Sequence, residues 1–247
     1  MRYLIVSDMH GNWEAFAAVL EDVHLESFDA ALVLGDLVGY GASPNQVVEA
    51  VRTLPLPTYV IRGNHDKVAA RVEEGEYFNA AALEAARWTT AALKAENLRY
   101  VRELPPGPLE IEQGLVICHG SPLDEDAYVL SSDEAEAIFH EHRSPVTFFG
   151  HTHIPSLFVL REGEIEISVL AGDRVTMELE PDARYLINPG SVGQPRDRDW
   201  RAAYMSYDST QRVVELFRIE YPLQSAQQRI VRADLPTILA QRLSLGV

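Results

Sequence analysis

Five times along this chain a short apolar run ends in a cluster of side chains able to hold a metal. The clusters are Asp8-Met9-His10, Gly35-Asp36, Gly63-Asn64-His65-Asp66, Cys118-His119-Gly120 and Gly150-His151-Thr152-His153. Apolar runs this short, bounded by turn residues, read as buried strands, so the polar clusters fall at strand ends. In the first part of the chain the runs 3–6, 30–34 and 59–61 alternate with helical patterns at 13–23 and 44–51. That alternation builds strand–helix–strand units around a parallel or mixed sheet, and the loops leaving such strands converge where open α/β sheets bind ligands. Asp8, Asp36 and Asn64, distant in sequence, are therefore able to meet.

Further along, alanine-rich periodicity predicts a long helix over 76–97, with Phe78, Ala82, Ala85, Thr89, Ala92 and Leu93 on one packing stripe. Leu104-Pro105-Pro106-Gly107-Pro108 is a turn cluster. The runs 115–118 and 146–149 then deliver His119 and the His151/His153 pair. Between them a helix is expected over 132–142, capped by Ser131 or Ser132, with Glu134 or Glu136 in its first turn. From residue 157 alternating segments at 164–169, 185–187, 203–207 and 213–219 predict antiparallel strands in a second sheet. The tail, 223–243, reads as helical, with Pro236 opening its last piece.

Carboxylates, an amide and imidazoles mixed in this way suit divalent Mn, Fe, Zn, Co or Ni, and a carboxylate can bridge two ions. Metal-assisted hydrolysis is the chemistry indicated. Alternation along a strand predicts that Asp8 and His10 lie on the same side. His151-x-His153 is the strongest local signal, because adjacent imidazoles after a buried strand are costly unless both find partners. Gly35-Asp36 alone is an ordinary turn pair, and Asn64-His65 alone reads equally well as a capped turn.

With 47% apolar and 23% charged residues among 247, the chain can bury a core as one domain over 1–247 without disulfides. Its single cysteine, Cys118, is expected as a small buried hydrophobe. The formal net charge of −16 disfavours nucleic acid and anionic membranes as partners. No apolar run is long enough to span a membrane, and the first strand leads directly into a cluster. A cytoplasmic protein is expected, and nothing in the sequence sets its oligomeric state.

Taken in order, Asp-x-His, Gly-Asp, Gly-Asn-His-Asp, His-Gly and Gly-His-Thr-His resemble the calcineurin-like metallophosphoesterase superfamily over positions 3 to about 200. The stretches Gly35-Asp36-Leu37-Val38-Gly39-Tyr40-Gly41 and Asn188-Pro189-Gly190-Ser191-Val192-Gly193-Gln194-Pro195 are similar to its small bacterial and archaeal YfcE-like, diadenosine-tetraphosphatase-related branch. The resemblance implies an α/β fold, a four-layer α-β-β-α sandwich with two mixed β-sheets. It implies two divalent metal ions, manganese foremost, with Fe, Zn, Ni or Co as the others. Asp8, His10, Asp36 and His153 would hold one; Asp36, Asn64, His119 and His151 would hold the other, with Asp36 bridging. His65 would be the non-ligand histidine near the leaving group, with Asp66 supporting it or capping the helix that follows.

The implied reaction is hydrolysis of a small phosphodiester, phosphomonoester or nucleotide by direct attack of metal-bound hydroxide, with His65, kept protonated by nearby negative charge, as proton donor. The alternatives are a serine/threonine protein phosphatase, a diadenosine tetraphosphate hydrolase, or a non-catalytic metal-binding scaffold. Protein phosphatases of the superfamily follow Gly-Asp with Asp-Arg-Gly, where this chain has Val38-Gly39-Tyr40-Gly41, which argues against the first. His65 beside all seven ligand positions argues against the last. Arg62 and Arg196 are the candidate substrate-binding cations, with Arg198 and Arg201 close in sequence.

Overall fold

The computed structural model describes residues 1–247. The chain begins β1 (Arg2–Val6), α1 (Trp13–Asp22), β2 (Ala30–Val33), α2 (Pro44–Arg52), β3 (Thr58–Val60), α3 (Asn64–Ala69). It continues α4 (Ala80–Ala92), α5 (Ala95–Glu103), β4 (Leu109–Glu112), β5 (Leu115–Ile117), α6 (Ser132–Glu141), β6 (Val146–Phe148). It ends β7 (Ser156–Arg161), β8 (Glu164–Val169), β9 (Arg174–Glu178), β10 (Arg184–Asn188), β11 (Ala202–Asp208), β12 (Val213–Ile219), α7 (Leu223–Arg232) and α8 (Thr237–Leu245).

The strands form two six-stranded mixed sheets, ordered β3-β2-β1-β11-β12-β9 and β4-β5-β6-β10-β7-β8. Period-two alternation decides the layers. In β1, Tyr3 and Ile5 pack toward the second sheet with Ile117, Phe148 and Ile187. Leu4 and Val6, one residue out of step, pack outward with Phe16, Val19, Val47 and Val51 of α1 and α2. β1 and β2 are therefore apolar on both faces, as strands covered on both sides must be. On the far side a thinner layer is built on α6, whose Ala135, Ile138 and Phe139 cover Phe149, Phe158 and Leu186. The result is the four-layer α-β-β-α sandwich. No helix is long and apolar enough to cross a membrane.

Two sequence expectations are corrected. The late strands do not make a sheet of their own: β11 pairs antiparallel with β1 in the first sheet, while β10 lies parallel to β6 in the second. Alternation marks a strand but carries no information about its partner, which sheet-to-sheet packing decides. The helix expected over 76–97 is divided as well. The Asn45 side chain accepts from the Lys94 amide at 2.8 Å and donates to the Ala92 carbonyl at 2.8 Å, capping the end of α4 and the start of α5 together. At the other end Asn79 caps α4 through the Ala82 amide. Residues 76–79 are thereby left outside the helix, and Phe78 packs against His65 rather than along the stripe. Of the two serines expected as the cap of α6 it is Ser131 that serves, in a capping box with Glu134, and α8 follows Pro236.

Candidate metal centre

The loops leaving β1, β2, β5 and β6 and the N-terminus of α3 meet at one edge of the sandwich. Asp8, His10, Asp36, His151 and His153 have φ of +56°, +48°, +52°, +63° and +61°, all in the left-handed region. Each costs an L-residue roughly 1–2 kcal/mol, so the conformation persists only where neighbouring contacts enforce it. It also changes the reason that Asp8 and His10 share a side. β1 ends at Val6, and left-handed turns beyond it, not strand alternation, aim both side chains over the sheet edge.

The enforcing contacts are visible. His10 N donates to Asp36 O at 2.9 Å and Gly11 N to Leu37 O at 2.9 Å, joining the first two loops. The Asn188–Pro195 loop stitches the sheets together: Asn188 Nδ2 donates to Gly150 O at 2.6 Å, Ser191 Oγ to Asp8 O at 2.8 Å, and Gln194 O accepts from His153 Nδ1 at 2.6 Å. Glycine is required where these loops touch. A Cβ on Gly63 would lie 2.1 Å from Asp36 Oδ1, and one on Gly39, where φ is +92°, 2.5 Å from His65 Nδ1.

Two groups of donor atoms face one another. Asp8, His10, Asp36 and His153 form the first; Asp36, His119 and His151 form the second. Asp36 Oδ2 lies 3.5 Å from His10 Nε2 and 3.4 Å from His119 Nε2, so one oxygen belongs to both. Asn64 Oδ1 joins the second group, 3.3 Å from His119 Nε2. His10, His119 and His153 each direct Nδ1 at a backbone carbonyl, of Val38, Leu34 and Gln194. A carbonyl only accepts, so Nδ1 carries the proton and, in the neutral ring, Nε2 presents a lone pair to the centre. His10 Nε2 and His153 Nε2 stand 3.1 Å apart. Facing lone pairs at that separation repel unless a cation lies between them. Asp8 Oδ1, Asp36 Oδ2 and His151 Nε2 are buried and without a hydrogen-bond partner, whereas the other oxygens of Asp8 and Asp36 accept from Ser7 Oγ at 2.6 Å and His65 N at 2.8 Å. Orphaned buried acceptors of this kind are what a metal would satisfy, and the residues fit divalent cations.

The electrostatics agree. Burial pushes His10 and His153 below the usual imidazole range and His151 down to about 3, so all three are neutral, ligand-competent rings near pH 7. Burial opposes charge on Asp8 and Asp36 too, but the facing imidazoles outweigh it and hold both carboxyls below their usual range. Burial also lowers His119, yet Asp36 and Asp8 outweigh it and raise the ring to about 10. In the metal-free protein a proton takes the place that a cation would take.

The family model for calcineurin-like phosphoesterases matches residues 1–155. The chain belongs to this family. It is 36% identical to the uncharacterised protein MJ0912 of Methanocaldococcus jannaschii, over 98% of this chain and 97% of that one. A metallophosphoesterase structure from Sphaerobacter thermophilus is 36% identical and superposes with a TM-score of 0.85, covering 100% of this chain and 99% of its own. The Pyrococcus horikoshii OT3 protein PH1004, at 22% identity and a TM-score of 0.82, shares the fold over 100% of this chain and 98% of its own.

A cleft of about 580 Å³ opens onto the centre of this phosphoesterase, reaching Asp36, Asn64, His65, His151 and His153. His65 is 4% exposed, its ring 4.3 Å from Tyr40 and 4.4 Å from Phe78. Burial drops it to about 4, so the expectation that a nearby carboxylate keeps it protonated is not met: desolvation exceeds the attraction of Asp36. Asp66 does not line the cleft. Its two oxygens accept from Gly63 N and Val38 N, closing the turn into α3 and fastening it to the Asp36 loop, and burial next to Asp36 raises it to about 7. Arg62 is also set apart: its guanidinium makes a two-pronged pair with Glu125 and does not line the cleft. Arg196 does line it. Arg201 pairs with Asp199 and Asp173, and Arg198 is exposed.

Several residues at the site gave no sequence signal. Tyr128 stacks on His151 with ring centroids 4.0 Å apart. Lys67 Nζ, its side chain 1% exposed, meets Glu73 at 2.9 Å, Glu125 at 3.2 Å and Asp126 at 2.6 Å. That knot ties α3 to the two segments that carry Phe78 and Tyr128. Cys118 is fully buried, which pushes its thiol up and leaves it a packing residue, as expected.

Proposed function

We propose that the chain is a dinuclear-metal-dependent phosphoesterase acting on a small phosphodiester, phosphomonoester or nucleotide. The observation that carries this reading is Asp36 Oδ2, an orphaned carboxylate oxygen common to two groups of donors. Asp8, His10, Asp36 and His153 would hold one ion, and Asp36, Asn64, His119 and His151 the other, with Mn the first metal to test. Two divalent cations supply charge that polarises a phosphoryl group and lowers the pKa of water.

The rest is done by the chain. The Nδ1-to-carbonyl bonds keep three imidazoles in the ligand tautomer. His65 turns Nδ1 toward Gly39, leaving Nε2 for a substrate in the cleft. The ring is neutral near pH 7 in the free protein. A phosphate dianion beside it favours the imidazolium, so the proton is taken up with substrate and passed from Nε2 to the departing oxygen. Glu73, Glu74, Glu76 and Asp126 around the cleft repel long polyanions and admit compact substrates.

The test is hydrolysis of bis(p-nitrophenyl) phosphate, p-nitrophenyl phosphate and a nucleotide panel by chelator-stripped protein reloaded with each metal. Metal-restored turnover of at least one small ester, above that of an oligonucleotide, is expected. No turnover with any metal, or preference for the oligonucleotide, refutes the proposal.

A further inference from the structure

Beside the donor atoms, two arginines converge on one phenol. Arg196 Nη2 lies 3.4 Å from Tyr40 Oη, and the Arg242 guanidinium sits over the Tyr40 ring, 5.7 Å from its centroid. Tyr40 itself is 7% exposed and its ring is 4.7 Å from His10 and 4.3 Å from His65, so the arginines lie one aromatic ring away from the donor cluster, and Arg196 lines the cleft. Arg196 comes from the loop after the Gln194 that holds His153. Arg242 comes from α8, far outside the family-matched residues.

Two like charges in this position need an explanation. The chain has 37 acidic residues against 21 basic ones, yet neither guanidinium has a carboxylate side chain within 4.0 Å. Arg196 Nη2 has only neutral partners, Tyr40 Oη and Gln194 Oε1, and its Nε is buried without any. Arg242 Nε donates to an oxygen of Val247, the last residue, and its guanidinium is pushed down by burial and by Arg196. Half-buried cations that repel each other, with the buried Arg196 Nε left over, are destabilising as they stand. A single anion between them would remove the repulsion and use the free donors, and guanidinium geometry matches a phosphate group.

We infer that Arg196, Arg242 and the Tyr40 hydroxyl form a second anion subsite next to the donor cluster, and that the substrate is a phosphoester carrying a second phosphate group. This rests on the proposed phosphoesterase reading for the scissile phosphate, while the subsite is a property of the chain without metal. Tyr40 joins the two positions: its ring meets His10 and His65 and also carries the guanidinium from α8. A monophosphate would use the donor cluster alone. A diphosphate or bisphosphate would span both positions.

Two measurements on wild-type, Arg242→Met and Arg242→Lys protein test this. The first is calorimetric titration of metal-free protein with pyrophosphate. Binding is expected in wild type, about tenfold or more weaker in Arg242→Met, and mostly restored in Arg242→Lys. The second is kcat/KM of the metal-loaded protein on adenosine 3′,5′-bisphosphate against adenosine 5′-monophosphate. The bisphosphate should be preferred, and Arg242→Met should cut that preference about tenfold or more. Pyrophosphate binding indifferent to Arg242, or an unchanged preference, overturns the subsite even if both esters are hydrolysed. Should Arg242→Met fail to fold, equal results for wild type and Arg242→Lys on mono- and bisphosphate, with no pyrophosphate binding in either, overturn it as well. Arg242-dependent pyrophosphate binding with no hydrolysis leaves the subsite standing and refutes the phosphoesterase reading.

Discussion

Asp36→Asn is the substitution that most sharply tests the shared oxygen. Oδ1 of Asp36 accepts from the His65 amide at 2.8 Å, a bond that an asparagine oxygen can keep. Oδ2 faces His10 and His119 at 3.5 and 3.4 Å without a hydrogen bond. The substitution therefore removes one negative charge from both donor groups while leaving the loop tied down. The first group keeps Asp8; the second keeps only an amide and neutral imidazoles. Altering a group that merely supports a ligand costs 10–100-fold in metal affinity, so losing the ligand charge should cost at least about 100-fold at the first site and more at the second. Without metal the donor oxygens of Asp8 and Asp36, within 4.8 Å of each other, repel by about 3 kcal/mol at an effective dielectric near 20. The facing imidazoles, His119 foremost, outweigh that repulsion and hold Asp36 ionised, so the metal-free variant should melt below wild type. A metal at 1,000 times its Kd stabilises by about 4 kcal/mol, or roughly 8–16 °C in a chain of this size. Wild-type protein should show that shift with Mn²⁺ and two ions by elemental analysis; Asp36→Asn should show neither. If the variant binds two ions or loses only one, Asp36 is not the bridge.

Three further outcomes are expected. His65→Ala should retain metal but lose far more kcat on esters with poor leaving groups than on p-nitrophenyl esters, because nitrophenolate departs without a proton; equal losses remove His65 from proton transfer. Lys67→Met should leave metal content intact, raise KM, and cost about 2–4 kcal/mol, since Glu73 and Asp126, 48% and 42% exposed, can turn to water while Glu125 keeps Arg62; an unchanged thermal midpoint would show that the knot holds nothing. Finally, the folded-state values of His65, about 4, and His151, about 3, lie below 6.5, so the unfolded chain takes up protons first as pH falls. Below pH 6.5 this costs about 3 kcal/mol for His65 alone by pH 4, and His151 adds a similar loss. Asp66, raised to about 7, acts the other way and gains stability as pH falls through 7, but it offsets only one of the two histidines, so metal-free stability should fall on balance. His119, raised to about 10, is protonated in both states below pH 6.5 and gives up its contribution only above it. A urea midpoint flat from pH 7 to 4.5 would contradict this.

What could be read in the chain itself was local. Short apolar runs ending in glycine, carboxylate and imidazole mark strand ends that carry donors, because burial alternation and metal preference both depend on residues a few positions apart. On that basis Asp8, His10, Asp36, Asn64, His65, His119, His151 and His153 stand out as candidates; the resemblance to the metallophosphoesterases singles out all of them but His65 as ligands, and the structure brings those seven together. What tertiary structure alone decided depends on partners far away in sequence. β11 joins β1 because sheet packing, not alternation, selects its neighbour. The helix breaks at Leu93 and Lys94 because Asn45, from α2, caps both pieces. Donor side chains converge through left-handed turns that loop-to-loop hydrogen bonds enforce, a conformation that Asp and His do not favour by themselves. Arg62, next to the site in sequence, is drawn off to Glu125, whereas Arg242, from the last helix, arrives at Tyr40. Chemical type is written residue by residue, but whether a cation is spent on a neighbour or left free for a ligand is settled only when the loops close.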